Sequence, residues 1–411
     1  LDDTAIRENI TLTKTKTQLI HAKFSELIEK LHQSTGQQVV VLIDEYDKPM
    51  IDSLAKEIHQ EIKEILHSFY QVIKAGDAHI KFVFMTGVSR FSGLNNLNDI
   101  TMDYKYTTIC GYTQKDLESN FKEHLKVIEE YMGISKEELL SKIKHWYNGY
   151  SWDGKSFVYN PFSTLMFFDK KEFIGYWYKT GTPIFLIEQI KKKSDIDKFR
   201  GEVLVSSQLL EGNSSDYSNI ESVTLLFQTG YLTVKKKESN EDGVVHTLDF
   251  PNKEVKDSFL TILVSEYAGK NQVDVFGLNI RIQKALKSKN AKDLQEALKE
   301  LYANAIYDTD TKKEGQRQTL FVFAARLSGF EVESEVHTNK GRIDVVLKKG
   351  NTVIIVEIKY SKENNHEEKL KEAIDQIREK NYYEKYINNN PTLLAIIFSE
   401  NKDIACRFEN I

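Results

Sequence analysis

The sequence predicts a mixed α/β protein with at least two parts, and two stretches of the chain carry that prediction. Val39–Ile43 is a run of five apolar residues between segments of helical periodicity, which indicates a buried β-strand. Gly341–Tyr360 predicts two strands joined by a turn at Gly350, and the second strand is apolar at every position from Val353 to Val356. A length of 411 residues suits two to three domains, each with its own core.

Composition and charge narrow the class of protein. Hydrophobic residues make up 40% of the chain and charged residues 28%, as in ordinary globular proteins, and no run approaches eighteen apolar residues, so we expect no membrane partner. With a net charge of −5, any contact with nucleic acid must come from local basic patches. The two cysteines, Cys110 and Cys406, lack metal-ligand spacing, and we expect a cytoplasmic protein.

The N-terminal part resembles the core of a nucleotide hydrolase. A helix is predicted over residues 16–33, and Asp44 and Glu45 follow the strand Val39–Ile43 directly. This is the Walker B arrangement, in which the Asp holds Mg²⁺ through water and the Glu polarises the attacking water. The alternative is an ordinary core strand followed by solvated acids.

A second strand supports the hydrolase interpretation. Residues 51–74 predict a helix, and Ile80–Met85 predicts another buried strand that ends at Thr86. In P-loop folds the strand beside Walker B ends in a small polar sensor residue, and Thr86 has that position. Arg90, four residues later, is a candidate phosphate or interdomain contact.

The central part predicts a helical lid that includes a two-stranded wing. Helices are predicted over 114–131 and 136–146, and the segments 225–236 and 244–250 predict a hairpin, so we expect a winged-helix-like lid. An aromatic-rich stretch between residues 146 and 178 could stack nucleic-acid bases. Few cations interleave these rings, which favours a packing role instead.

One formal P-loop match is rejected. Residues 149–156 fit G-x-x-x-x-G-K-[ST], but a P-loop must follow a strand and open a helix so that backbone N–H groups face the phosphates. This match follows a predicted helix and leads towards Pro161, which disfavours a continuing helix, so a turn is predicted.

The C-terminal hairpin carries the strongest chemical signal. Helices are predicted over 274–287, 291–303 and 314–328 before it. Asp344 lies in its first strand, and Glu357 and Lys359 leave the second strand on the same side. Two carboxylates and a lysine at the end of a buried strand suit Mg²⁺-assisted phosphodiester hydrolysis, with Asp344 and Glu357 as metal ligands. The alternative is an edge hairpin with solvated charges.

Two resemblances sharpen this interpretation. Asp344 followed by Glu357-Ile358-Lys359 resembles the D…(D/E)-x-K signature of the PD-(D/E)xK nucleases, although Ile343 replaces the proline of the family's name. LIDEYDKPM, TGVSRFSGLNNLNDIT, CGYTQKDL, HWYNGYSW, VYNPFS, LLFQTGYLT and LDFPNKEV resemble the AAA-ATPase-like proteins that carry such a nuclease domain at their C-terminus.

The resemblance implies further residues and a domain order. It adds Glu314 as a third metal-side carboxylate and Gln376, on a helix predicted over 365–383, as a contact to the phosphate or its water. A solvated first-turn glutamate is the alternative for Glu314. The expected order is a partial P-loop ATPase core (1–110), a helical and winged-helix-like lid (111–270), a helical linker (271–306) and a restriction-endonuclease-like α/β domain (307–411).

The expected activity is Mg²⁺-dependent cleavage of DNA, regulated by ATP in the full-length protein. In the family a Walker A loop precedes Walker B by roughly a hundred residues, whereas 43 residues precede Asp44 here, so we expect a fragment with little ATPase activity. Assembly of homo-oligomers through the ATPase module stays open. The rival hypotheses are an ATP-dependent switch whose nuclease-like domain only binds nucleic acid, and a winged-helix DNA-binding regulator.

Overall fold

A computed structural model shows how these segments are arranged. It describes residues 1–13, 20–53, 56–88, 97–177, 186–187, 190, 195–211, 221–241, 243–305, 313–338, 341–362, 365–400 and 403–411. Within these ranges no helix has the length and apolar character needed to span a bilayer.

The N-terminal part is a two-stranded parallel sheet with helices packed on it. Strand β1 pairs with β2 in parallel, as expected for neighbouring strands of an α/β core. The predicted helix over 51–74 is two helices, α3 and α4. The elements are α1 (Asp2–Arg7), α2 (Ile20–Thr35), β1 (Val39–Ile43), α3 (Lys48–Ser53), α4 (His59–Ala75) and β2 (Ile80–Met85).

The prediction that both strands are buried is wrong for one face of this sheet. Val41 is buried, but Val40 is 50% exposed and Leu42 is 70% exposed. On β2, Phe82 and Phe84 are exposed on the same sheet and stack on each other at 6.4 Å. A run of apolar residues predicts that a strand forms, but whether the second face of the strand is buried depends on which segments pack against it.

The middle of the chain begins with four helices. Residues 114–131 form two helices instead of one, because the backbone of Phe121 leaves the helical conformation, with a φ of −116° and a ψ of 24°. Most aromatic rings described between residues 146 and 177 lie in or against a hydrophobic core, with Tyr147 and Tyr159 fully buried, whereas Phe157 and Phe162 are exposed. The elements are α5 (Gln114–Asn120), α6 (Lys122–Met132), α7 (Lys136–Tyr147), β3 (Asn148–Tyr150), β4 (Val158–Tyr159) and α8 (Pro161–Lys170).

The rejected P-loop match is a turn, as predicted. Gly149 lies in β3, and the residues after it connect β3 to its antiparallel partner β4. The Asp153 carboxylate accepts hydrogen bonds from the backbone N–H groups of Lys155 and Ser156 at 2.8 and 2.7 Å, which closes the turn. The N–H groups that a P-loop would offer to a phosphate are therefore used within the turn.

A three-stranded sheet follows, in the order β5-β7-β6. The predicted hairpin is confirmed, but it starts at Thr233, because residues 222–228 are helical, and the strand β5 was not predicted. A winged-helix assignment stays a prediction. The elements are β5 (Val203–Ser206), α9 (Ser207–Glu211), α10 (Ser222–Gln228), β6 (Thr233–Asn240) and β7 (Gly243–Asp249).

The C-terminal part is a five-stranded sheet with helices on both faces. Its order is β12-β11-β10-β9-β8, with β10 and β11 parallel and the other neighbours antiparallel. The 393–398 strand was expected to close the sheet, yet β12 pairs beyond it. The elements are α11 (Lys253–Ala268), α12 (Gln272–Ser288), α13 (Ala291–Tyr302), α14 (Lys313–Leu327), β8 (Glu331–Thr338), β9 (Gly341–Lys349), β10 (Thr352–Ser361), α15 (His366–Glu379), β11 (Thr392–Ser399) and β12 (Ile404–Asn410).

One hydrophobic core joins this sheet to the segments before it. Phe199, Phe259, Phe323 and Val356 belong to the same cluster of buried residues. A second cluster fills the space between the opposite face of the sheet and α15, around Ile355. The candidate nuclease residues lie on the sheet between these two cores.

Candidate active site

Asp344 lies on β9 beside the strand that carries Glu357. Val345 pairs with Val356 in the two antiparallel strands, so the next residues along each strand, Asp344 and Glu357, are level with each other. Asp344 Oδ2 accepts a hydrogen bond from the backbone N–H of Ile358 at 2.9 Å. The backbone oxygen of Asp344 accepts from Nε2 of Gln318 on α14 at 3.1 Å. The hairpin therefore brings the two predicted carboxylates to one place.

Glu357 is a buried carboxylate, with 4% of its surface exposed. Its Oε1 accepts a hydrogen bond from Nε2 of Gln376, whereas its Oε2 is buried without a hydrogen-bond partner in the described part of the chain. Burial, and then the Asp344 carboxylate, raise the pKa of Glu357 to about 8. A buried anion beside a second anion is unstable unless a cation or a proton joins it.

Lys359 and Gln376 complete the cluster. Lys359 Nζ donates a hydrogen bond to Oε1 of Gln376 at 2.6 Å. The Gln376 side chain comes from α15, and its amide therefore bridges the lysine and the Glu357 carboxylate. Both residues lie close to the Glu357 carboxylate, and their roles in the reaction stay predictions.

Three further residues border the cluster and were not predicted as site residues. Gln318 contacts Asp344 from α14. Lys380 follows directly after α15, and its positive charge lies close enough to Glu357 to oppose the rise in the pKa of that carboxylate. Tyr382 is buried, and its pKa is raised by burial and by Glu357 and Asp344. The position of Lys380 four residues after Gln376 was a usable signal, but nothing in the local sequence marks Gln318 or Tyr382.

Two predicted site residues are not placed by the structure. Glu314 lies in the first turn of α14, but its side chain is outside the described residues, and Arg90 is outside them altogether. Across the described residues, no group of three or more His, Cys, Asp or Glu side chains could hold a metal ion. The cluster at β9 and β10 offers two carboxylates, Asp344 and Glu357.

The N-terminal candidate residues form a separate cluster. The Thr86 hydroxyl donates a hydrogen bond to the Asp44 carboxylate, and the parallel pairing continues as Tyr46 N–H donates to the Thr86 oxygen at 2.9 Å. Glu45 has a φ of +52° and lies 3.7 Å from Lys48 Nζ. The ends of two parallel strands thus bring Asp44 and Thr86 together, and the backbone N–H of Glu45 donates to the Asp44 carboxylate at 3.1 Å, although a Walker B role stays a prediction.

The fold and the clusters define a protein in which an ATPase-like core precedes a nuclease-like α/β domain. Residues 3–97 match the family model for predicted AAA-ATPases, and residues 312–408 match that of the PD-(D/E)XK nuclease superfamily. A protein of Azotobacter chroococcum mcd 1, described as an uncharacterized protein in the vnfD 5′ region, is 34% identical over 377 residues, covering 89% of this chain and 70% of that protein. No solved structure matches.

The chain therefore belongs to the AAA-ATPase-like proteins that carry a C-terminal PD-(D/E)XK nuclease superfamily domain.

Proposed function

We propose that the protein is a Mg²⁺-dependent nuclease that hydrolyses phosphodiester bonds of DNA, and that its AAA-type module regulates this activity through ATP in the full-length protein. The observation that supports it is the buried Glu357 Oε2, which has no hydrogen-bond partner in the described residues and lies beside Asp344. A nuclease needs such an atom to hold its cation.

The donor set fits a hard divalent cation. Asp344 and Glu357 offer carboxylate oxygens, the ligands that Mg²⁺ prefers, and their mutual repulsion would be relieved by the positive charge. When bound, Mg²⁺ lowers the pKa of a coordinated water and stabilises negative charge on the phosphate.

The remaining residues of the cluster hold the two carboxylates and the lysine in position. Gln376 accepts from Lys359 and donates to Glu357, which fixes the lysine ammonium beside the carboxylates. From there Lys359 can orient the attacking water or neutralise the charge that develops on the phosphate. The peptide N–H of Ile358 holds the Asp344 carboxylate at 2.9 Å.

Substitutions test this proposal directly. Asp344→Ala should abolish cleavage but leave DNA binding intact or stronger, because binding relies on cations and loss of a carboxylate reduces repulsion with phosphates.

Lys359→Ala should raise the activation barrier of phosphodiester hydrolysis by about 2–4 kcal/mol. Cleavage of single-stranded, duplex and RNA substrates is measured with Mg²⁺ or Mn²⁺. Glu372→Ala, an exposed carboxylate on α15 that pairs with Lys369, is the control and should cleave normally.

A binding-only protein gives different results. A nucleic-acid-binding scaffold or a winged-helix regulator would bind DNA without hydrolysing it under any metal, and Asp344→Ala would then alter stability alone. The hydrogen bond from Gln376, which also binds Lys359, to the buried Glu357 favours the nuclease, since a binding surface has no need of a buried carboxylate with a raised pKa.

The N-terminal cluster is proposed as a Walker B site. Asp44 would hold the Mg²⁺ of ATP, Glu45 would polarise the water, and Thr86, hydrogen-bonded to Asp44, would sense the γ-phosphate. The turn at 149–156 supplies no phosphate cradle, so we expect the 411-residue chain to bind ATP more weakly than micromolar. Calorimetry with ATP and Mg²⁺ measures this, and micromolar affinity would contradict it.

A further inference from the structure

We propose that Arg200 is a positioning residue for the candidate active site, and that it acts through Gln318 and Glu335, which flank Asp344. The inference rests on the proposed function and adds to it a physical link between the middle of the chain and the nuclease carboxylates.

Arg200 follows the short helical turn Asp195–Phe199 and is buried, with 8% of its surface exposed. Its guanidinium donates to three groups on the first turns of α14: Thr319 Oγ1 at 2.7 Å, the Gly315 oxygen at 2.7 Å and Gln318 Oε1 at 3.2 Å. It also donates to Asp197 at 3.0 Å, which in turn accepts from the Thr319 hydroxyl. Arginine suits this role because its planar fork can bind several acceptors at once.

Gln318 passes this contact on to Asp344. One end of its amide accepts from Arg200, and the other end donates to the Asp344 backbone oxygen at 3.1 Å. Because an amide group is planar, fixing its oxygen also fixes the direction of its NH₂ group. Loss of the Arg200 donor would free Gln318 to rotate and release the Asp344 carbonyl.

Glu335 gives Arg200 a second route to the same point. The neighbouring pairs Ser334–Val345 and Val336–Ile343 place Glu335 across from Asp344 on β8. Glu335 has a φ of +55°, which non-glycine residues rarely adopt inside a strand. Its carboxylate lies 3.6 Å from Arg200 and 3.7 Å from Arg342, so two cations hold it in this conformation.

The segment that carries Arg200 continues into β5 of the three-stranded sheet. A displacement of that sheet would therefore reach Asp344 through two side chains, Arg200 and Gln318. Partners that orient metal-ligating residues commonly change metal affinity by 10–100-fold when removed. This arrangement provides a means by which the middle of the chain can set the metal affinity of the nuclease site.

The test compares Arg200→Lys and Gln318→Leu with Arg326→Lys. Arg326 is a matched control: it is buried to a similar degree, lies on the helix that carries Gln318, donates to the Phe199 oxygen at 2.9 Å and pairs with Asp249 at 2.9 Å. We expect Arg200→Lys and Gln318→Leu each to weaken Mn²⁺ binding about tenfold by calorimetry. The double variant should bind Mn²⁺ no more weakly than Arg200→Lys alone, because Gln318 lies on one of the two routes that start at Arg200. Arg326→Lys should stay within about twofold of wild type.

A second measurement does not require metal. The Ile358 N–H that donates to Asp344 Oδ2 should exchange its hydrogen faster in Arg200→Lys and Gln318→Leu than in Arg326→Lys. If all three variants matched the wild type in exchange rate and Mn²⁺ affinity, the proposal would be overturned. It would also be overturned if all three showed the same loss, because that would indicate a general loosening of the structure. If Arg200→Lys does not fold, Gln318→Leu and Glu335→Gln test the two routes from Arg200 separately, and unchanged exchange and Mn²⁺ affinity in both variants would overturn the proposal. If the wild type neither cleaves nor binds Mn²⁺, the proposed function fails, and the exchange data still decide the role of Arg200.

Discussion

At the scale of single residues, Glu357 determines how the site responds to pH. Its pKa is about 8 in the folded protein, against an ordinary value of 4.5, chiefly because the carboxylate is buried. The folded state therefore retains a proton that the unfolded chain releases over this range. The contribution of Glu357 to the stability of the folded protein is therefore fully present below pH 4.5. It is lost as pH rises from 4.5 to about 8, and above pH 8 it no longer changes with pH.

Glu357→Gln should remove this dependence. At pH 4, below the ordinary pKa of 4.5, the variant and the wild type should unfold with nearly equal free energies, since both carry a mostly neutral side chain in the folded and the unfolded state. At pH 9 the variant should be more stable by roughly 4–5 kcal/mol, because the pKa of Glu357 rises from 4.5 to about 8 on folding and each pKa unit corresponds to about 1.4 kcal/mol. Urea denaturation at the two pH values measures the difference. A variant that is less stable at pH 9 would show that Glu357 is charged and satisfied without metal.

Mg²⁺ binding should respond to the same group in the opposite direction. The cation needs a charged carboxylate, so its affinity should rise as pH increases towards about 8 and level off above that value. Calorimetry in two buffers of different ionisation enthalpy should show proton release on binding at pH 7 and little at pH 9. In Asp344→Asn the pKa of Glu357 should fall, because the neighbouring negative charge that helps to raise it is lost.

At the scale of elements, two glycines with positive φ should differ in how much stability is lost when each is replaced by alanine. Gly149 has a φ of +119°, and a Cβ atom there would lie 2.0 Å from the Pro251 oxygen, so Gly149→Ala must displace backbone. Gly350, with a φ of +58° in the β9–β10 turn, has nothing within 4 Å of such an atom. We expect about 1 kcal/mol for Gly350→Ala and at least about 3 kcal/mol for Gly149→Ala. Thermal melts measure both, and equal losses would contradict this packing of β3 against residue 251.

The elements that the sequence predicted best are those whose signal is local. The hairpin was located from its apolar runs and from Gly350, and α12 and α13 from apolar periodicity. β8 and β12 were missed because Glu331–Thr338 and Ile404–Asn410 mix charged with apolar residues, and only their sheet neighbours make them strands. The exposure of Val40 and Leu42 could not be predicted, since it depends on which surfaces pack on β1.

At the scale of the whole molecule, some residues of the candidate site can be found from a local stretch of sequence, and others are brought there only by tertiary packing. Asp344, Glu357 and Lys359 lie within one stretch of sixteen residues and could be found from one hairpin. Gln376 came from the family resemblance. Gln318 reaches Asp344 from a helix that packs on the opposite core, and Arg200 reaches Gln318 across 118 residues of chain. Contacts of that kind depend on the tertiary packing, which one sequence does not reveal.

The shared core predicts that the middle segments and the nuclease sheet unfold together. Phe259 on α11 is 1% exposed, and its ring contacts those of Phe199, Tyr231 and Phe250, while the same buried cluster includes Val356 of β10. Phe259→Ala should cost about 3–5 kcal/mol through loss of burial and the cavity that remains.

Because the cluster is continuous, that loss should appear in the sheet as well as at the substituted helix. Amide exchange should accelerate at β10 and at β7 by similar factors, and calorimetry should show one transition for this part of the chain, shifted to lower temperature. Ile374→Ala, in the second core between the sheet and α15, is the comparison. If Phe259→Ala accelerated exchange in β7 and left β10 unchanged, the two parts would be separate folding units, and a displacement near Arg200 could not be transmitted through this packing to Asp344.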